Sequence, residues 1–281
     1  MRNNRNNEPA PDARNTWNGR LTTASALLYV LAFNLTFFIQ ELFLVAPKAL
    51  TPGLRPTLFH NNHRWEGEHP LARLFQGTGA LATFLSGVIC ALLLRRRPKS
   101  GRQSAALQLF LIWMIYNGLF QSLSQVVVGA LNPGNDVGMA MGYLQLSAAT
   151  KGVAALAAIT ALPVIAIGLT RALLGLAVSP RDVDSGRARQ RFIFFVATLP
   201  ALVAIPLIIP FRVPRELIEV VMPPVLITVI GICWIQASAW YVSPPTSGTG
   251  ARVTSIAWPL GAVLALLAFF QFVLRPGIRF F

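Results

Sequence analysis

Residues 21–46 read LTTASALLYVLAFNLTFFIQELFLVA, an apolar run of about 25 residues whose single charged side chain is Glu41. A helix needs roughly 20 mostly apolar residues to cross a bilayer, so this stretch is long enough to span one. It is also longer than the apolar core of a signal peptide, so it reads as an uncleaved first span. Six more blocks of the same kind follow, at residues 71–94, 105–131, 152–176, 192–211, 217–241 and 256–274. Apolar residues make up 54% of the chain and charged residues 12%, where a soluble domain carries about 25% charged residues. A soluble two-domain enzyme, a disordered chain and a coiled coil are thereby excluded. The expectation is an all-α polytopic integral membrane helix bundle of about seven transmembrane helices. It divides into a disordered, cytoplasmic N-terminal tail at 1–20 and a single transmembrane domain at 21–281, with a histidine-containing extracytoplasmic loop at 47–70.

Lys and Arg number 24 against 10 Asp and Glu, a formal charge of +14. Such a balance can signal nucleic-acid binding. Here the basic residues sit in short clusters between apolar blocks, the pattern that sets membrane topology, so no nucleic-acid partner is expected. The partners expected are the lipid bilayer and other membrane subunits. With the N-terminus cytoplasmic, 15 of the 24 basic residues fall on the inner side. The largest inner clusters are Arg95-Arg96-Arg97-Pro98-Lys99 and the run from Arg181 to Arg191. The plasma (inner) membrane is the expected location, with the C-terminus outside. Cys90 and Cys233 both lie in apolar blocks and form no CxxC motif, which argues against a disulfide framework or a cysteine-based zinc site.

Pro163, Pro200, Pro206, Pro223, Pro224 and Pro259 fall within or at the starts of spans. Each removes a backbone donor, and membrane helices tolerate this where neighbours satisfy the freed carbonyls. Gly77-Thr78-Gly79-Ala80 and Gly87 suit close helix approach. No internal repeat of the inverted-repeat transporter kind is present.

All three histidines lie in one stretch of the first outer loop, Phe59-His60-Asn61-Asn62-His63-Arg64-Trp65-Glu66-Gly67-Glu68-His69-Pro70. Imidazole and carboxylate suit zinc or another divalent transition metal. The i, i+3 spacing of His60 and His63 brings both rings to one side on a helical turn or in a tight loop, so His60, His63 and His69 are the candidate metal ligands. Trp65 reads as a headgroup anchor. Glu41 is costly in hydrocarbon, by roughly 2.5–3.5 kcal/mol on insertion scales, and shares a helical stripe with Asn34 and Lys48. It either pairs with Lys48 at the interface or faces the bundle interior beneath the histidine loop. Glu41, Glu66 and Asp136 are the candidate catalytic carboxylates, one completing the metal site and another acting as base on metal-bound water. Asp136 also reads as a turn or N-cap residue after Asn132-Pro133-Gly134. Asn117, Gln121 and Gln125 recur every four residues on the third span, a polar stripe that would bind substrate or join helices. Glu216 and Glu219 add two more carboxylates on the outer side.

No HExxH pair of the site-2 metalloprotease kind is present, because Gln40-Glu41 and Leu44 stand where its residues would be. No Gly-rich phosphate loop, serine–histidine dyad within the spans or pair of axial haem histidines is present either. Three functions fit these residues. The first is a metal-dependent hydrolase or transferase acting on a lipid or membrane-bound substrate. The second is a small-solute or ion transporter or sensor using Glu41 and the Asn117/Gln121/Gln125 stripe. The third is a non-catalytic membrane subunit of a larger complex.

Overall fold

The computed structural model describes residues 18–96, 104–213, 217–245, 253 and 255–281, without the side chains of 217–220. The expected tail up to residue 17, Arg97, Lys99, Arg102, Glu216 and Arg252 lie outside the described residues, as does the Glu219 side chain. The chain folds as a helix bundle with seven helices long and apolar enough to cross a membrane: Gly19–Ala49, Ala72–Arg95, Ala105–Leu131, Ala148–Leu174, Gly186–Arg212, Val221–Ser238 and Ala257–Leu274. Each matches one of the seven apolar blocks, with ends shifted by a few residues.

The first span, α1 (Gly19–Ala49), starts where the Asn18 side chain accepts from the Leu21 amide at 3.2 Å. It therefore takes in the last residues of the expected tail. A hairpin of β1 (Arg55–Leu58) and β2 (His63–Glu66) follows. The second span is a short turn, α2 (Ala72–Phe75), continued by α3 (Thr78–Arg95). The third span is α4 (Ala105–Leu131), followed by the short α5 (Asp136–Tyr143). Asn135 caps α5 by accepting from the Val137 amide, and Asp136 is its first residue rather than the cap. The fourth span is α6 (Ala148–Leu174). The fifth joins α7 (Gly186–Ile193) to α8 (Leu199–Arg212) through one π-helical turn at Phe194–Thr198. The last two are α9 (Leu217–Ser238) and α10 (Ala257–Phe269), the latter extended by a π-helical turn to Leu274. A final strand, β3 (Ile278–Arg279), pairs with β1, so the C-terminus and the histidine loop share one small sheet at one end of the bundle.

Helices α1 and α4 form the centre, with Tyr29, Phe33, Trp113, Tyr116 and Phe120 fully buried between them and their neighbours. Helices α6 and α10 turn most of their surface outward. The small residues set the close crossings. A Cβ on Gly118 would lie 2.7 Å from the Thr83 carbonyl oxygen and 3.0 Å from the Gly87 Cα, so α3 and α4 touch backbone to backbone. A Cβ on Gly79 would lie 2.8 Å from Gln40 and Leu44 side-chain atoms, which brings α3 equally close to α1.

Neighbouring hydroxyls satisfy the carbonyls that prolines release. Pro47 cannot donate to the Phe43 carbonyl, and Thr78 donates to it instead at 2.6 Å. Pro200 leaves the Val196 carbonyl without its helical donor, and Ser25 of α1 donates there at 2.6 Å. The same Ser25 oxygen accepts from the Trp113 indole N–H at 3.0 Å. Tyr116 fills a notch in α9. Its hydroxyl donates to the Ile227 carbonyl at 2.7 Å, and a Cβ on Gly231 would collide with the phenol ring.

Candidate functional site

The sheet places the loop residues. Side chains alternate across a strand, so on β2 His63 and Trp65 face one way and Arg64 and Glu66 the other. His63 and Trp65 face the end of α1 and stack on each other, with ring centroids 5.7 Å apart. On α1, Glu41 and Lys48 are two turns apart on one stripe and reach the same imidazole. Glu41 Oε2 lies 2.8 Å from His63 Nδ1, and Lys48 Nζ lies 3.3 Å from His63 Nε2. The carboxylate can only accept and the ammonium can only donate. A carboxylate on one side and an ammonium on the other favour the tautomer in which Nδ1–H donates to Glu41 and Nε2 accepts from Lys48. Glu41 is 7% exposed and Lys48 0%, so this is a buried acid–imidazole–amine chain.

Lys48 has further partners. It donates to Gln76 Oε1 at 3.2 Å and lies 4.4 Å above the Trp65 ring. Trp65, expected as a headgroup anchor, instead covers this ammonium and the imidazole. The position of Lys48 at the centre of the site and the part played by Gln76 were not read from the sequence. The signal for Lys48 was its seven-residue spacing from Glu41.

The other candidate residues lie elsewhere. His60 is buried and its Nε2 donates to the Val213 carbonyl at 3.2 Å, while Asn61 donates to the Arg212 carbonyl. Together they cap the open C-terminal end of α8. His69 Nδ1 accepts from the Leu71 amide at 3.2 Å and shapes the entry to α2. Glu66 is exposed on the face of the sheet opposite His63. The structure thus brings together Glu41 and His63 from the expected metal set and directs His60, His69 and Glu66 elsewhere. In place of the helical turn or tight loop expected of His60 and His63, His63 lies in a strand, and the hairpin turn separates their tasks. Among the described residues, no three His, Cys, Asp or Glu side chains are placed to hold one metal ion.

Beside this chain, the polar stripe of α4 meets α1 at Gln40. Gln121 and Gln125 both donate to Gln40 Oε1, the latter at 2.8 Å. Asn117 donates to the Trp113 carbonyl of its own helix at 2.9 Å. These bonds join α1 to α4. They leave Asn117 Oδ1 and Gln121 Oε1 buried and without a hydrogen-bond partner among the described residues, and a lone buried acceptor costs about 1–3 kcal/mol. Gln40 and Glu41 are adjacent in sequence, so the stripe and the acid–imidazole–amine chain meet on the same turn of α1. Comparison with family models, with curated proteins and with solved structures gave no match to this chain.

Proposed function

We propose that this multi-pass helical protein is a proton-linked transporter of a small polar solute. The observation that carries this reading is the Glu41–His63–Lys48 chain. An ionisable residue within a membrane span marks a proton or ion path. Here the carboxylate is joined through a neutral imidazole to a buried amine, so a proton moving onto His63 Nε2 would set an N–H against the Lys48 ammonium and break that contact. The two unpartnered side-chain oxygens on α4 favour a polar occupant with hydrogen-bond donors in the adjoining seam. Glu41 holds the proton that is exchanged, His63 transmits it, and Lys48 is the group whose position reports it.

The test uses liposomes containing the purified protein and a trapped pH dye, challenged with a panel of small cations, amino acids and sugars. At least one solute should acidify the lumen in wild-type vesicles and not in Glu41→Gln vesicles. Silence across the panel, or equal acidification with Glu41→Gln, would contradict the proposal.

The metal-dependent hydrolase or transferase is the second reading, and only the Glu41–His63 contact favours it. It requires His63 Nε2 as a ligand, and Lys48 holds that nitrogen. Zinc analysis of the purified protein tests it: one equivalent in wild type that is lost in His63→Ala would restore it.

A further inference from the structure

The sheet has a second face. Cross-strand register sets Arg55 opposite Glu66, and Thr57 opposite both Arg64 and Arg279. Alternation then puts Arg55, Arg64, Arg279 and Glu66 on the side away from His63, all exposed. Phe59 and Phe281 have the same parity and lie under the arginines. The Arg64 guanidinium is 5.8 Å from the Phe59 ring, and those of Arg55 and Arg279 are each 6.0 Å from the Phe281 ring. Gly277 lets β3 reach this position. Its φ is +89°, and a Cβ there would meet the Phe59 ring at 2.6 Å.

Three guanidiniums against the single carboxylate side chain of Glu66 on so small a face repel one another. No ion pair joins any of the three to a carboxylate among the described residues. Resting on rings orients each guanidinium and leaves its N–H fork free for a phosphate, the planar bidentate recognition at which Arg excels. The sheet also sits at the edge of the apolar zone. Strand β3 starts four residues after the last span ends at Leu274, and Phe272 and Leu50 beside the span ends are 81% and 86% exposed.

We propose that this face binds the phosphate headgroups of anionic phospholipid in the leaflet that meets it. The test is native mass spectrometry of the full chain, purified with phosphatidylglycerol and phosphatidylcholine and then progressively delipidated. Wild type should retain phosphatidylglycerol in preference to phosphatidylcholine. Arg55→Gln, Arg64→Gln and Arg279→Gln should each weaken that retention by about fivefold, and the triple variant by the largest factor. Glu66→Gln, which removes a negative charge and leaves all three arginines in place, should strengthen retention, and it remains a test if the triple variant fails to fold. Unchanged retention in the arginine variants, or no gain in Glu66→Gln, would overturn the proposal. Displacement of the lipid by millimolar inorganic phosphate would assign the face to a soluble anion and overturn it equally.

Discussion

Glu41 and Lys48, seven residues apart on α1, hold opposite nitrogens of the same imidazole, at 2.8 Å and 3.3 Å from His63. The helix sets the spacing and the hairpin delivers the ring. In a buried site, neither charge is stable without the other two groups.

That dependence gives the first prediction. Lys48→Met leaves the Glu41 carboxylate buried without its ammonium and should destabilise the protein by about 3 kcal/mol in detergent thermal unfolding. Glu41→Gln removes the opposite charge. The double variant should lose clearly less than the two single losses added, because neither charge is then left alone. Strict additivity would mean that the two side chains do not share a site.

Trp65 reports on the same place from above. Removing the imidazole should free Lys48 from Nε2 and strip the ring stacked on Trp65, so His63→Ala should shift the intrinsic fluorescence relative to wild type. The same substitution made in a Trp65→Phe background should give no shift. A shift that survives there would have to come from one of the other five tryptophans.

Ser25 is expected to matter more than its size suggests. Ser25→Ala would strip the donor from the Val196 carbonyl, which Pro200 cannot supply, and the acceptor from Trp113. Two buried polar groups left unpaired cost about 1–3 kcal/mol each. Ser122→Ala removes one bond within α4 and should cost less. Thermal stability of the two variants side by side decides the order.

Gly231 and Gly168 form a second comparison. A methyl at Gly231 meets the Tyr116 phenol, whereas one at Gly168 meets nothing within 4 Å. Gly231→Ala should therefore cost about 1–3 kcal/mol through overpacking, while Gly168→Ala should be neutral or slightly stabilising. Equal effects would show that α4 and α9 do not meet as closely as described.

The spans were legible because the bilayer imposes a length and a composition that no other environment imposes. Helical periodicity was enough to set Glu41 and Lys48 on one stripe, and small residues marked the crossings of α3. The hairpin was not legible. Four-residue strands carry little pattern of their own, and β1 is held on one side by β3, more than 200 residues further along the chain. Without the strand, alternation could not be applied, so Glu66 and His63 were grouped although they face opposite ways. His60 resembled a ligand because a partner such as the carbonyl of Val213 has no sequence signature. The α4 stripe was legible as polar spacing, but its partner Gln40 became visible only once α1 and α4 were packed together.

Which nitrogen of His63 carries hydrogen tests the Glu41–His63–Lys48 chain most directly. Solid-state NMR of the protein with 15N-labelled histidine in liposomes, with His63→Gln used to assign the signals, reads which ring nitrogen carries hydrogen. Hydrogen should sit on Nδ1, facing Glu41, and not on Nε2, facing Lys48, and that state should be lost in both Glu41→Gln and Lys48→Met. A neutral ring protonated on Nε2, or a tautomer indifferent to both substitutions, would contradict it.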